Sequence, residues 1–243
     1  MLKIIIPLAG SSELFANAGY YYPKPLIEVK GIPMIQTVLN NPLLLDVEKS
    51  FIFIIKVEDA KKFHLDSTLR ILAPNCEIIK IDNDTKGALC SVMLAVDKID
   101  PQDEVLILNG DQVIDEPLGQ IYKYWKKLDA PAGLITFTSV HPRWSYARLI
   151  DGIVVQTAEK NPISNYAIAG AYYFKVASAF FSAAFRSIKE GVHLDGMFFI
   201  SPVVNQYVLN AENVFAYKID NKKYHLFYSP QMLQEYERNF QNI

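Results

Sequence analysis

Apolar residues are distributed along the chain in two patterns. Five short runs are dominated by apolar residues without strict alternation: Leu2–Leu8 (broken by Lys3), Phe51–Ile55, Cys76–Ile81, Val105–Leu108 and Gly133–Phe137. Such runs, rich in Val and Ile, suit strands buried on both faces of a mostly parallel sheet. Between them the apolar positions recur at helical spacing. Pro33–Leu45 places Met34, Ile35, Val38 and Leu39 on one side. Glu58–Leu72 carries Phe63, Leu65, Leu69 and Leu72, with acids early and Arg70 late, and predicts one helix. Thr85 is placed to cap a helix bearing Ala88, Val92, Ala95 and Val96. Pro117–Leu128 predicts a further helix that opens on a proline.

The first 140 residues therefore read β-α-β-α-β-α-β-α-β, the signature of an open α/β sheet with helices on both faces. Later residues are patterned differently. Ala147–Ile150, Ile153–Ala158 and Tyr166–Phe174 predict strands, the first two joined by an Asp151-Gly152 turn. Helices are expected at Val176–Lys189, Pro202–Leu209 and Pro230–Phe240, and a strand at Val214–Ile219. No Gly-, Ser- or Pro-rich linker and no internal repeat divides the chain. The expectation is one domain over residues 1–243, with halves at 1–140 and 141–243.

Composition narrows the function classes. With 243 residues, 51% hydrophobic and 21% charged, the chain resembles an average globular protein. That length buries about 70–75% of the unfolded surface, so no disulfide or metal staple is required. Lys+Arg 24 against Asp+Glu 26 leaves a net charge of -2, which argues against a broadly basic nucleic-acid binder. Cys76 and Cys90 have no paired-His motif and read as reduced core thiols. His64, His141, His193 and His225 lack metal-ligand spacing and read as structural. The apolar start is too short for a signal peptide or membrane span, so the cytoplasm is expected and no membrane partner.

In open α/β sheets ligands bind beyond the carboxyl ends of the strands, where the strand order reverses. Three segments hold that position: the loop after Leu8, the loop after Ile81, and Asn109-Gly110-Asp111. A small-residue loop leaving a strand can turn its backbone N–H groups toward a phosphate. Lys24, held between Pro23 and Pro25, would place a cation at the same mouth. Neither a Walker loop nor G-x-G-x-x-G is present, so the residues alone also suit a plain βα connection with a solvated lysine.

The segments taken together are more specific. Ile4–Leu8, Ala9-Gly10, Tyr20–Val29 (Tyr-Tyr-Tyr-Pro-Lys-Pro-Leu-Ile-Glu-Val) and Gly31-Ile32-Pro33-Met34-Ile35 resemble the start of the sugar-phosphate nucleotidylyltransferases, or nucleoside-diphosphate-sugar pyrophosphorylases. The resemblance continues, in order and spacing, through Thr85-Lys86-Gly87-Ala88, Asn109-Gly110-Asp111-Gln112, Ser145-Tyr146, Glu159-Lys160 and Gly170-Ala171-Tyr172-Tyr173-Phe174. It covers about residues 1–175, is looser beyond, and is nearest to bacterial members tied to capsule and surface-polysaccharide synthesis.

The resemblance implies a three-layer α/β/α nucleotidyltransferase-like fold with a mixed, mostly parallel central sheet. It also implies Mg²⁺-dependent transfer of a nucleotidyl group from a nucleoside triphosphate to a sugar phosphate or similar phosphorylated acceptor, releasing pyrophosphate. Leu8, Ala9, Gly10, Ser11 and Ser12 would wrap the triphosphate, and Lys24 would neutralise it. Gly87 would let the base approach the backbone, with Asp82 or a neighbour reading its edge. Asn109 and Gly110 would complete the nucleotide side, and Asp111 would hold Mg²⁺. Lys160 would position the acceptor phosphate, while Glu159 and Gly170 would face the sugar. The partners implied are small molecules, with a homo-oligomer among the assemblies the family forms. Residues 1–140 become the nucleotide-binding half and 141–243 the acceptor-binding half.

Two departures stand out against that pattern. The family's first loop reads Gly-x-Gly-[Ser/Thr]-Arg, whereas here Ser12, Glu13 and Leu14 occupy its last three positions. An expected cation is absent and a carboxylate is introduced. Many members also carry Asp-x-Gly-Thr-Pro near the end, whose aspartate completes a metal site; the matching segment here is Leu226-Phe227-Tyr228-Ser229-Pro230. Arg143, Arg148 or Lys86 could restore the cation, and Asp220 or Asp195 the carboxylate. The alternative function is a degenerate relative that binds a nucleotide or nucleotide sugar without transfer. A glycosyltransferase on a related fold would want Asp-x-Asp, which Asp111-Gln112-Val113 does not supply.

Overall fold

The computed structural model describes residues 1–240; the last three residues of the expected domain lie outside the described residues. The chain opens with β1 (Leu2–Pro7), a short α1 (Glu13–Asn17), the small hairpin β2 (Glu28–Val29) and β3 (Ile32–Pro33), and α2 (Met34–Leu43). There follow β4 (Lys49–Lys56), α3 (Val57–Phe63), α4 (Leu65–Leu72), β5 (Glu77–Ile81), α5 (Ala88–Met93) and β6 (Glu104–Leu108). Next come β7 (Gln112–Ile114), α6 (Leu118–Lys127), β8 (Ala132–Thr138), β9 (Tyr146–Ile150), β10 (Ile153–Ala158) and β11 (Tyr166–Phe174). The chain finishes with α7 (Ala177–Lys189), α8 (Val204–Leu209), β12 (Val214–Lys218), β13 (Tyr224–Leu226) and α9 (Pro230–Phe240).

Nine strands form one mixed sheet in the order β5-β4-β1-β6-β11-β8-β12-β10-β9. From β5 to β6 every neighbour is parallel. β11 then enters antiparallel to both β6 and β8, and β12 lies parallel to β8. Strands from the two halves of the sequence therefore interleave within one sheet. Each central strand divides its residues by parity between two cores, because successive side chains point to opposite faces. Leu2, Ile4 and Ile6 of β1 face one core and Ile5 the other; β4 separates Phe51, Phe53 and Ile55 from Ile52 and Ile54. Residues of α2, α4 and α6 fill the first core, and residues of α5, α7 and α8 fill the second. The result is a three-layer α/β/α arrangement around one mixed sheet.

Two helices differ from their sequence expectation. The expected helix at Glu58–Leu72 is broken at His64, which adopts the left-handed region (φ 53°) between α3 and α4. The break separates α3 from a helix whose Leu65 and Leu69 are fully buried, a re-aiming that apolar spacing alone does not encode. Thr85 does not cap α5. Its hydroxyl donates to the Gly87 carbonyl and pairs with Ser91 Oγ, and Gly87 takes the cap position at φ 101°. That helix stops at Met93, leaving Val96 in a separate short turn.

Candidate active site

The strand order reverses between β1 and β6, since the chain leaves β1 toward β4 and later returns on its other side at β6. At their carboxyl ends a cleft of about 1090 Å³ opens. That size lies at the upper end for small-molecule sites. Residues from both halves of the sequence line it.

The first wall is built by β1, β6 and their loops. After β1, the Leu8 N–H donates to the Ile54 carbonyl, and the chain then leaves the sheet through Ala9, Gly10 and Ser11. A Cβ on Gly10 would meet nothing within 4 Å, so this backbone is open to the cleft. Buried Phe15 anchors α1, while Leu14 turns toward the cleft and is 47% exposed. Lys24 opens a tight turn whose flanking Pro23 and Pro25 are buried and hold φ near its fixed value. Its N–H donates to Ser12 Oγ at 2.8 Å, which ties the two loops together.

Lys24 Nζ donates to Asp111 Oδ2 at 2.7 Å, an ion pair closed across 87 residues of sequence. The Asp111 carbonyl accepts from the Phe227 N–H, so β13 and its following turn also fix this residue. A Cβ on Gly110 would lie 2.2 Å from Leu8 Cδ2, so glycine allows β1 and β6 to end side by side.

Gly170 lies at a register shift in β11, with φ 55°. Its carbonyl accepts from the Asn109 N–H and from Gln112 Nε2, and a Cβ there would lie 2.2 Å from Asn109 Nδ2. Gly87 lines the cleft and also has a close neighbour within the protein. Its Cβ would sit 2.3 Å from the Phe198 carbonyl oxygen, which accepts from the Leu89 N–H.

The second wall comes from the β8–β9 connection, the end of β10 and the segment before α8. Glu159 Oε2 accepts from Ser145 Oγ and Ser201 Oγ. Burial pushes the neighbouring Tyr172 hydroxyl well up, and the Glu159 charge pushes it further, so it stays protonated. Lys160, exposed and at φ 49°, holds its ammonium 5.3 Å from the Phe199 ring centroid. Tyr224 is likewise kept neutral, first by burial and then by the Asp111 charge, and donates to Gln112 Oε1.

Of the residues expected at the site, Leu8, Ala9, Gly10, Ser11, Lys24, Gly87, Asn109, Gly110, Asp111, Glu159, Lys160 and Gly170 line this one cleft. Ser12 and Asp82 do not. Ser12 acts through its bond to Lys24. Asp82 is exposed beyond the cleft, and the carboxylate that lines it is Asp84, paired with Lys56 at 2.7 Å. Among the alternative cations only Arg143 lines the cleft; Arg148 and Lys86 do not. Asp195 and Asp220 are also outside, and Asp220 accepts from the Lys222 N–H in a turn.

Ser201, Phe199 and Trp144 were not singled out by the sequence, in which no motif marks them. Burial pushes the Cys76 and Cys90 thiols up, away from the thiolate form. No helix among the described residues is long and apolar enough to cross a membrane.

A family model described as nucleotidyl transferase matches residues 9–222, and the chain belongs to that family. No curated protein matches it in sequence. Among solved structures it is similar to the nucleoside-diphosphate-sugar pyrophosphorylase of Vibrio cholerae RC9, with a TM-score of 0.82 and 24% identity over 97% of this chain and 99% of that one. It is also similar to a UDP-glucose pyrophosphorylase complexed with UDP-glucose, at a TM-score of 0.77 and 16% identity over 99% and 98% of the chains. A UTP-bound UGPase from Acinetobacter baumannii gives 0.76 and 14% over 98% and 92%. At these identities the likeness is one of fold.

Proposed function

We propose that this protein transfers a nucleotidyl group from a nucleoside triphosphate to a sugar phosphate or similar phosphorylated acceptor. An oxygen of the acceptor phosphate attacks the α-phosphorus. The bond from that phosphorus to the bridging oxygen breaks, and pyrophosphate leaves with the electron pair. Little covalent work falls to the protein, which must align the reactants and stabilise charge on phosphoryl oxygens. The observation that carries this reading is the Lys24–Asp111 pair at the strand-order reversal, facing Glu159 and Lys160 across one cleft. The solved relatives described with UTP and with UDP-glucose are consistent with such substrates.

In this reading the Ala9–Ser11 backbone lies against the triphosphate, Lys24 neutralises it, and Asn109 and Gly110 shape the nucleotide side. Lys160 holds the acceptor phosphate. Glu159, held by two serine hydroxyls, accepts from acceptor hydroxyl groups. Residues 1–140 thus serve the nucleotide and 141–243 the acceptor within one domain.

The cleft offers few side-chain donors to a Mg²⁺ ion. Among the described residues there is no cluster of three His, Cys, Asp or Glu side chains. Asp111 has one oxygen on Lys24 and, among the described residues, no other hydrogen bond to its carboxylate. That suits Mg²⁺, which takes one or two carboxylates and completes its shell with phosphate oxygens and water. Bound by Asp111, the ion supplies positive charge against the phosphoryl oxygens. A cytoplasmic place in nucleotide-sugar supply for a bacterial capsule or surface polysaccharide belongs to the same proposal.

The test is incubation with Mg²⁺, each common nucleoside triphosphate and a panel of sugar 1-phosphates, following pyrophosphate release beside binding calorimetry. One productive pair is expected. Leu14 on the cleft wall, where a cation was expected, favours the second reading of binding without transfer. Nucleotide binding with no release across the panel would establish that second reading. Absence of any nucleotide binding would remove both.

A further inference from the structure

The charges that line the cleft are not equally satisfied. Asp84 is paired with Lys56, Asp111 with Lys24, and Glu159 is held by Ser145 and Ser201. Among the described residues, Arg143 and Lys160 line the cleft with no carboxylate partner. Lys160 already has a task in the proposed function, on which the present inference rests; Arg143 has none.

We propose that Arg143 binds a phosphoryl group of the substrate, supplying from the β8–β9 connection the cation that Leu14 does not. Its placement is fixed before any ligand arrives. The Arg143 N–H and Nε both donate to His141 Nδ1 at 3.2 Å, and a terminal nitrogen lies 3.3 Å from His141 Nε2. The guanidinium lies 6.0 Å from the Trp144 ring centroid, and its other terminal nitrogen contacts Met232 Sδ at 3.8 Å. Trp144 packs in turn against Phe137 and Tyr224.

An arginine oriented by an imidazole, an indole and a thioether has given up none of its charge. Its planar fork suits two phosphoryl oxygens, and a setting without a carboxylate partner among the described residues preserves its attraction for them. Arg148 lies on an exposed position of β9 and Lys86 on an exposed loop, so neither duplicates it.

The ligand chemistry is a phosphoryl oxyanion, from the triphosphate with its pyrophosphate product or from the acceptor phosphate. Calorimetry of the full chain with Mg²⁺ distinguishes these sources, using nucleoside triphosphates and inorganic pyrophosphate in one arm and glucose 1-phosphate in the other. Arg143→Ala is expected to weaken binding in one arm by about tenfold or more, the loss of a charge-assisted contact. Arg143→Lys should recover only part, since a lysine keeps the charge without the fork.

Arg148→Ala serves as the control and should bind as the wild type does. Arg143 is exposed, so the variant's melting temperature should match the wild type and exclude a folding defect. Unchanged affinity of Arg143→Ala in both arms overturns the proposal alone. So does an equal loss in Arg148→Ala, which would reduce the effect to general charge. A wild-type protein that binds no nucleotide and no pyrophosphate overturns the proposed function together with it.

Discussion

The two walls of the cleft hold their charges in opposite ways. On the first, Lys24 is paired with Asp111, and beside it, in the loop after β5, Asp84 is paired with Lys56. What this wall leaves open is backbone, at Ala9, Gly10 and Ser11. On the second wall Arg143 and Lys160 rest on aromatic and imidazole rings, and the carboxylate of Glu159 rests on hydroxyls. A paired wall keeps its geometry without a ligand but offers little net charge. An unpaired wall offers net charge and depends on its neutral supports for placement. A protein with a net charge of -2 can thus present a locally cationic surface to an anionic substrate.

The largest effect is expected where the first wall is most dependent on one pair. Asp111→Asn removes the partner of Lys24 and the carboxylate offered to Mg²⁺. Pyrophosphate release should fall by about 10²-fold or more, with a shifted Mg²⁺ requirement. A Mg²⁺ titration of the rate identical to wild type would take Asp111 out of the site.

Gly170 joins the walls, because its carbonyl binds Asn109 and Gln112 while its own strand belongs to the later half. Gly170→Ala combines a positive φ with a clash against the Asn109 and Gln112 side chains and should cost about 1–3 kcal/mol in urea unfolding. Gly10→Ala, with open space around it, should unfold like wild type and lose nucleotide affinity instead. Equal destabilisation by the two would erase the distinction between the open loop and the packed junction.

A smaller change is expected on the second wall. Phe199→Leu removes the ring facing the Lys160 ammonium and should raise the acceptor KM by about 2–5-fold, the size of an exposed cation–π contact. The kcat should hold, and Phe199→Tyr should restore the KM. A fall in kcat with unchanged KM would mean that Phe199 does not act through Lys160.

The smallest effect lies at the opposite, amino end of β6. Burial alone would raise the Glu104 carboxyl, but hydrogen bonds from Lys126, Tyr173 and Tyr122 outweigh it and hold the value below the ordinary 4.5. A depressed folded value contributes stability above the unfolded value, and that contribution is lost as the pH falls through the folded one. Wild-type urea stability should therefore drop in acid below about pH 4.5, and Glu104→Gln should flatten that limb. Cleft affinities at neutral pH should not change, and a change would couple this end of the sheet to the walls.

The apolar runs that became β1, β4 and β6 were legible because a strand buried on both faces needs uninterrupted apolar residues. The hairpin of β2 and β3 and the pair of β7 with β13 were not, because two- and three-residue strands carry no readable period. His64 shows the same limit in a helix, since the apolar spacing runs on through a residue whose backbone turns left-handed.

At the site, the short range sufficed for Lys24 between its prolines and for Asn109-Gly110-Asp111 after a buried strand. It did not tell Asp82 from its neighbours, because nothing local marks which carboxylate of an exposed loop lines the cleft, and Asp84 is the one that does. It also left Arg143, Arg148 and Lys86 equal, as nothing local tells a cleft-facing cation from a solvated one.

By itself the sequence determined the layers and the strand ends at which the cleft opens, because burial parity and turn chemistry are local. Only the tertiary structure decided that β11 inserts between β6 and β8 and that Lys24 meets Asp111. It alone decided, too, that Arg143 faces the cleft without a carboxylate partner among the described residues. Those outcomes depend on pairings between residues far apart in the chain, which are settled by packing the whole sheet at once and leave no mark in any short stretch of sequence.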